Sequence, residues 1–164
     1  MFFEKATKFH NTLKSLTLFP SSLEKTIWET LPTEWKNSLI QAGQKRLGWK
    51  FSPIPATLFM DFGRNGNRVR LETIYFEKRY VLADLVLAEC IEGNGRFLDD
   101  IVNGIFSICE ESAWQLPAHN TYIRDTPQEL LPDITRPILD LFACETGAIL
   151  AVTYALLKDS LDRI

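Results

Sequence analysis

Residues that hold a fold together by covalent or metal chemistry are scarce in this sequence. Its 164 residues include three cysteines and two histidines. Cys90, Cys109 and Cys144 show no CxxC spacing, so neither a disulfide framework nor a zinc site is indicated. Each cysteine lies in an apolar stretch typical of a helix, where a buried thiol packs as a small hydrophobic group. We therefore expect a reducing compartment, with no metal and no cofactor.

Glycine and proline are also few, at eight each, which excludes collagen-like and low-complexity chains. Uninterrupted apolar runs are short as well. The longest apolar stretch, residues 138–157, contains Asp140 and Glu145 and is predicted to be a buried helix, because a membrane span needs ~20 apolar residues. Glu4 and Lys5 stand where a signal peptide needs an apolar core. We expect a cytoplasmic protein with no membrane partner.

The charge is uneven along the chain. Residues 1–80 carry 13 Lys and Arg against 7 Asp and Glu, whereas residues 81–164 carry 5 against 14. The basic half suits an anionic partner. Nucleic acid is not expected to be that partner, because the formal net charge is -3 and the tryptophans follow a helical pattern instead of a basic stripe.

Apolar residues recur at the three- and four-residue spacing of helices, and no useful segment alternates apolar with polar residues. The pattern predicts short helices before Gly48, an extended connection over 49–62, a turn over 63–66 and helices over 69–91, 96–114 and 138–157. Short loops between long helices favour antiparallel hairpins. The sequence thus predicts an all-α fold in one domain or domain fragment over 1–164. Short helices and a connector would occupy 1–62, and helical hairpins would occupy 63–164.

One stretch concentrates side chains suited to carbohydrate binding. The helix predicted over 96–114 ends in Glu110, Glu111 and Trp114, and it carries Asn103 on its polar side. A sugar ring presents apolar C–H faces and a rim of hydroxyls, so an aromatic ring beside carboxylates and amides suits it. A solvated helix face produces the same pattern and is the more common outcome.

His119 and Asn120 follow in the next loop. An imidazole titrates near neutral pH and can serve as an acid or a base, although a loop histidine is more often a surface or capping residue. Cys109, His119 and Asn120 have the residue types of a thiol-nucleophile site. Cys109, however, is predicted to lie on the apolar side of its helix, which argues against that site.

The same region carries a family resemblance. The runs that carry it are AECIEGNGRFLDDIVNGI over 88–105, CEESAW over 109–114, PAHN over 117–120 and DLFACETG over 140–147. They resemble bacterial heparinase II/III-like proteins, most specifically over residues 88–162. Members of that family have an incomplete (α/α) toroid of antiparallel helix pairs followed by β-sandwich domains, and they cleave acidic polysaccharides by β-elimination.

The resemblance implies that this chain supplies the first helices of such a toroid, incomplete as an enzyme, and that its partner is an acidic oligosaccharide or polysaccharide. It implies that His119 and Asn120 neutralise the uronate carboxylate while the C5 proton is removed. The groove would be lined by Asn103, Glu110, Glu111 and Trp114. A tyrosine acting as base or acid would follow Ile164, and the nearest local tyrosines are Tyr75, Tyr80 and Tyr122.

Two other functions stay open. An α/α-toroid hydrolase acting on unsaturated glucuronides would use Asp100 or Glu111 as a general acid and would leave no new double bond. A non-catalytic helical module would instead dock a partner chain, or a second copy of itself, through the exposed side of the last helix.

Overall fold

The computed structural model describes residues 19–123, 126–127 and 129–161, and these residues form an all-α fold with no strand. In chain order the helices are α1 (Lys25–Glu29), α2 (Thr33–Gln44), α3 (Ala56–Asn65), α4 (Val69–Glu92), α5 (Leu98–Cys109) and α6 (Leu141–Leu161), with a 3-10 turn at Pro117–His119 between the last two. The predicted fold class is confirmed. The arrangement of the hairpins in a toroid stays a prediction.

Helix α4 is the centre of the fold, and α1, α2, α3, α5 and α6 all pack against it. Its second half, from Val81 onward, has no exposed residue, which explains why this part of its sequence is mostly apolar. The main core joins α4 to α5 and α6 through the buried residues Val81, Leu82, Leu85, Phe97, Ile101, Ile108 and Leu157. A smaller core, formed by Phe59, Leu71, Tyr75 and Leu116, lies at the start of α4.

Helices α4 and α5 form the predicted antiparallel hairpin. Glu89, near the end of α4, accepts hydrogen bonds from the backbone N–H groups of Gly95 and Phe97, just before α5. Lys78, one-third of the way along α4, contacts Ser107 near the end of α5. The turn between them is possible because Gly93 ends α4 at φ 61°, a left-handed conformation that glycine adopts at little cost.

Several predicted boundaries are wrong, and local contacts explain three of those before α6. The extended connection stops at Pro55, and α3 follows because Leu58 and Phe59 pack on the smaller core. The predicted turn over 63–66 is mostly the last turn of α3, and only Gly66 leaves the helix, at φ 77°. Helix α5 ends at Cys109, five residues before the predicted end, and the indole N–H of Trp114 donates to the freed carbonyl of Ile108.

The last helix begins at Leu141, three residues after its predicted start, because Asp140 caps it. Its Oδ1 accepts the backbone N–H of Ala143 at 2.7 Å, which satisfies one of the free donors of the first turn. This boundary leaves Leu139 and Leu141 exposed on the surface.

Helix α6 is buried on one side only, through Ala143, Thr146, Thr153, Leu156 and Leu157. Among the described residues it is the one helix long and apolar enough to span a membrane by length and composition. Only 28% of its most apolar window is buried, so the prediction of a buried helix is wrong for most of its surface. Core helices pass the same test. The expectations of no membrane partner, and of self-association or a partner chain on this exposed side, stay predictions.

The cysteines differ from the sequence prediction. Cys90 is fully buried in the core, whereas Cys109 and Cys144 are exposed. The prediction that Cys109 lies on the apolar side of α5 is wrong. The buried side of that helix is formed by Ile101, Gly104 and Ile108. Burial raises the pKa of the Cys90 thiol from 9.0 to about 12, and neighbouring Glu89 adds to the shift.

A close approach of α2 and α4 depends on Gly43. A Cβ at this position would lie 2.3 Å from Cβ of Ala88 and 3.0 Å from the carbonyl oxygen of Asp84. We expect Gly43→Ala to destabilise the protein by about 1–3 kcal/mol in urea unfolding, since the helices must move apart. Gly147→Ala is the matched control, because nothing lies within 4 Å of its added Cβ. The control should gain about 0.5–1 kcal/mol from helix propensity, and equal effects of both variants would contradict this packing.

The raised pKa of Cys90 predicts a loss of stability in alkali. The folded protein holds the thiol proton more tightly than the unfolded chain does. The stability that the protonated Cys90 contributes is therefore complete below pH 9 and declines as pH rises towards 12. Urea unfolding across this range should show wild-type stability falling more steeply than that of Cys90→Ala. Cys109→Ala, which removes an exposed thiol, should keep the wild-type slope. Parallel curves for wild type and Cys90→Ala would count against the burial.

Candidate functional site

A cleft of about 700 Å³ opens between α5 and the extended segment that precedes α3, with α4 beneath it. Aromatic rings form much of its lining: Trp49, Phe51, Phe59, Tyr75 and Phe106. Polar side chains lie among them: Lys50, Lys78, Asn103, Ser107, Glu110 and Glu111. Its size is that of a small-molecule or oligosaccharide site.

One wall of the cleft is the extended segment 49–55. Two prolines, Pro53 and Pro55, disfavour helix in this segment. It is anchored at its start, where the backbone N–H of Gly48 donates to Asp100 Oδ2 at 2.9 Å. The ring of Phe51 comes so close to α5 that a Cβ on Gly104 would lie 2.8 Å from it. The absence of a side chain at Gly104 therefore allows the Phe51 ring to pack against α5.

A buried cluster of three charges lies at the floor of the cleft. Glu111 is 5% exposed and pairs with Lys78 at 3.0 Å and with Arg79 at 2.7 Å. The guanidinium of Arg79 contacts both carboxylate oxygens, which is the geometry of the strongest protein ion pairs. The cluster joins the middle of α4 to the residues just after α5, and so it fixes the back of the cleft.

Tyr75 and Arg79 extend this cluster to α6. The Arg79 guanidinium lies 3.3 Å from the centre of the Tyr75 ring, and its Nε donates to Thr146 Oγ1. The Tyr75 hydroxyl lies 2.7 Å from Thr146 Oγ1 and within 3.0 Å of the carbonyl oxygens of Trp114 and Phe142. Burial raises the pKa of Tyr75, so at neutral pH the residue is a phenol that holds the fold.

Three of the six predicted site residues line the cleft. Asn103 and Glu110 are exposed along α5 and just after it, with their side chains on the cleft. Glu111 also lines it, but both its oxygens are bonded to cations. Trp114 does not line the cleft. Its indole packs against the main core and donates to the Ile108 carbonyl.

His119 lies outside the cleft, near the start of α6. Its Nδ1 is 2.6 Å from Asp140 Oδ2, which also accepts the backbone N–H of Leu116. The imidazole stacks on Phe142, with 5.6 Å between the ring centres. These contacts attach the 3-10 turn to α6 and leave the imidazole 39% exposed.

Asn120 is buried beside the cleft and holds a loop. Its Nδ2 donates to the carbonyl oxygens of Glu129 and Leu131, and its Oδ1 accepts from Gln115 Nε2. Leu131 and Gln115 both line the cleft, so Asn120 supports the wall from behind. The neutralising role predicted for His119 and Asn120 stays a prediction.

Two other sequence hypotheses receive no support from the contacts. Asp100, the alternative general acid, is held by the N–H of Gly48 and does not line the cleft. Cys109 is exposed at the end of α5 and forms no hydrogen bond with His119 among the described residues. In the described part of the chain, no group of three His, Cys, Asp or Glu side chains is arranged to hold a metal ion.

Sequence reasoning missed the cationic floor and the aromatic wall. Lys78 and Arg79 did give a signal, because they fall between Tyr75 and Leu82 on the helical spacing of a buried face. A charge at a core position is rarely left unpaired. Trp49 and Phe51 gave no such signal in the sequence, because only the tertiary fold brings the segment 49–55 beside α5.

Comparisons with known proteins do not assign this chain to a family. No protein-family model matches this chain, and no curated protein matches it. The heparinase II/III-like resemblance therefore stays a prediction that rests on the runs in residues 88–162.

The charge cluster predicts that neutralising two adjacent carboxylates, Glu111 and Glu110, has different effects on stability. Glu111→Gln removes the anion that the buried Lys78 and Arg79 share, and we expect it to destabilise the protein by about 3–5 kcal/mol. Glu110→Gln changes the exposed neighbour and should alter stability by less than about 0.5 kcal/mol. Urea unfolding at pH 7 measures both. A Glu111→Gln protein as stable as Glu110→Gln would show that the cluster does not support the fold.

Proposed function

We propose that the cleft binds an acidic saccharide and that the chain is a segment of a polysaccharide lyase of the heparinase II/III-like type, which breaks uronic-acid glycans by β-elimination. In this proposal the helical hairpins are part of an (α/α) toroid in a cytoplasmic protein. The observation that carries the proposal is the lining of the cleft, where aromatic rings lie among amide, hydroxyl, ammonium and carboxylate groups.

The aromatic wall suits the apolar face of a sugar. Phe106 is 63% exposed on α5, with Trp49 and Phe51 on the segment across from it. Burying an exposed ring against C–H groups gains hydrophobic free energy of roughly 25 cal/mol per Å². An oligosaccharide in the cleft would cover these rings, which otherwise remain in contact with water.

The polar groups suit the hydroxyl rim and the acid group. Asn103 supplies an amide that both donates and accepts, and Ser107 and Ser112 supply hydroxyls. Lys50 and Lys78 supply positive charge, which a uronate carboxylate requires and a neutral sugar does not. The carboxylate of Glu111 is shared between Lys78 and Arg79, so one anion faces two cations at the floor.

The chemistry of β-elimination requires a cation beside the uronate, and Lys50 and Lys78 supply cations to the cleft. Removing the C5 proton of a uronate places negative charge beside an existing carboxylate, so a group that holds the carboxylate lowers the barrier. Asn120 reaches the cleft only through Gln115 and Leu131. His119 lies outside the cleft, against Asp140. The proposal therefore rests on binding in the cleft and not on catalysis by these two residues.

Calorimetric titration tests the binding. The protein should bind a glucuronate-containing tetrasaccharide more tightly than cellotetraose, a neutral chain of the same length. Phe106→Ala should weaken binding of the acidic tetrasaccharide about 10-fold, which equals ~1.4 kcal/mol, because it removes an exposed wall ring. Tyr154→Ala, a control on exposed α6, should bind like wild type. No binding of the acidic tetrasaccharide, or equal loss in both variants, would refute the cleft as a saccharide site.

A further inference from the structure

We infer that Lys78 is the residue that recognises the carboxylate of the bound saccharide. The inference rests on the proposed function and assigns the acid selectivity of the cleft to one buried ammonium group. The proposal names Lys78 instead of the exposed Lys50, and three observations support this choice.

The first observation is an unused donor. Lys78 is 3% exposed, and its ammonium has three N–H groups. Two of them have acceptors, the carbonyl oxygen of Ser107 at 3.2 Å and Glu111 Oε1 at 3.0 Å. The third has no acceptor among the described residues. Buried donors without partners are rare in folded proteins, and because Lys78 lines the cleft, a group bound there can accept from the third N–H.

The second observation is an unmatched charge. Glu111 is bonded through both oxygens to Arg79 and through Oε1 to Lys78, so one carboxylate serves two cations. The ammonium of Lys78 leaves this buried cluster with a net charge of one positive unit. A buried charge without a full counterion is costly, and an anion entering the cleft would remove that cost.

The third observation is position. Lys78 lines the cleft together with Ser107 and Glu111, the two residues that hold its ammonium. Glu110 lies on the same cleft and opposes an anion, but it is exposed, so water and salt screen its charge. Lys50 is exposed as well, and its attraction is screened in the same way. The strongest unscreened charge is therefore at the floor.

A carboxylate bonded to Lys78 would orient the sugar. Phe106 and Asn103 lie on α5, along the same cleft, so a ring whose acid group contacts the floor can place a face on Phe106 and its hydroxyls near Asn103. A neutral sugar can make the contacts with Phe106 and Asn103 but not the carboxylate contact with Lys78. Lys78 thus determines which sugars bind tightly.

The test compares an acidic ligand with its neutral counterpart. The probes are a glucuronate-containing tetrasaccharide and the same compound with its carboxylates reduced to alcohols. We expect wild type to bind the acidic form at least ~10-fold more tightly. Lys78→Met should abolish this preference and change the affinity for the reduced form by less than ~2-fold. Lys50→Met should cause a smaller loss that disappears at high salt.

A measurement on the wild-type protein tests the same assignment without depending on whether Lys78→Met folds. In protein labelled with ¹⁵N-lysine, the Nζ signal of a buried lysine should shift on addition of the acidic tetrasaccharide and not of the reduced one. If Lys78→Met keeps the wild-type preference, or no buried lysine signal responds, the assignment of Lys78 is overturned while saccharide binding stands. If wild type binds neither probe, the proposed function fails and the inference fails with it.

Discussion

The buried cluster of Lys78, Arg79 and Glu111 connects α4 with the end of α5 and with α6. Lys78 and Arg79 belong to α4, Glu111 follows α5, and Arg79 reaches Thr146 on α6. Charges of this kind add little net stability, because desolvation offsets most of their attraction. Their effect is directional. The Glu111 carboxylate has two partners in fixed places on α4, so the chain after α5 can satisfy both of them in only one position.

That single position determines the geometry of the cleft. With Glu111 held at the floor, the chain runs to Trp114, whose carbonyl meets the Tyr75 hydroxyl. It then runs to Asn120, which supports the wall near Leu131. On the opposite side, Gly104 lets Phe51 press against α5. The floor is cationic because two cations share one carboxylate, and we propose that the arrangement that fixes the fold also attracts an acid.

The fold class could be predicted from periodicity, and so could helix α4, whose apolar residues repeat with a helical spacing from Val69 to Glu92. Helix α3 was missed because Pro53 and Pro55 indicate extended chain, and their influence ends where the packing of Phe59 begins. Asn103, Glu110 and Glu111 were all predicted to line the sugar groove, and all three line the cleft. The bonds of Glu111 to Lys78 and Arg79 were not predicted. These partners lie more than 30 positions away, and spacing along the chain carries no record of such pairs.

The central claim is that a sugar acid binds in this cleft with its charge on the floor. A crystal structure of the protein with the glucuronate-containing tetrasaccharide tests it most directly. The account predicts a carboxylate oxygen within about 3.2 Å of the Lys78 ammonium nitrogen and a ring face on Phe106. A saccharide bound elsewhere on the surface, or one in the cleft with its carboxylate turned to solvent, would contradict it.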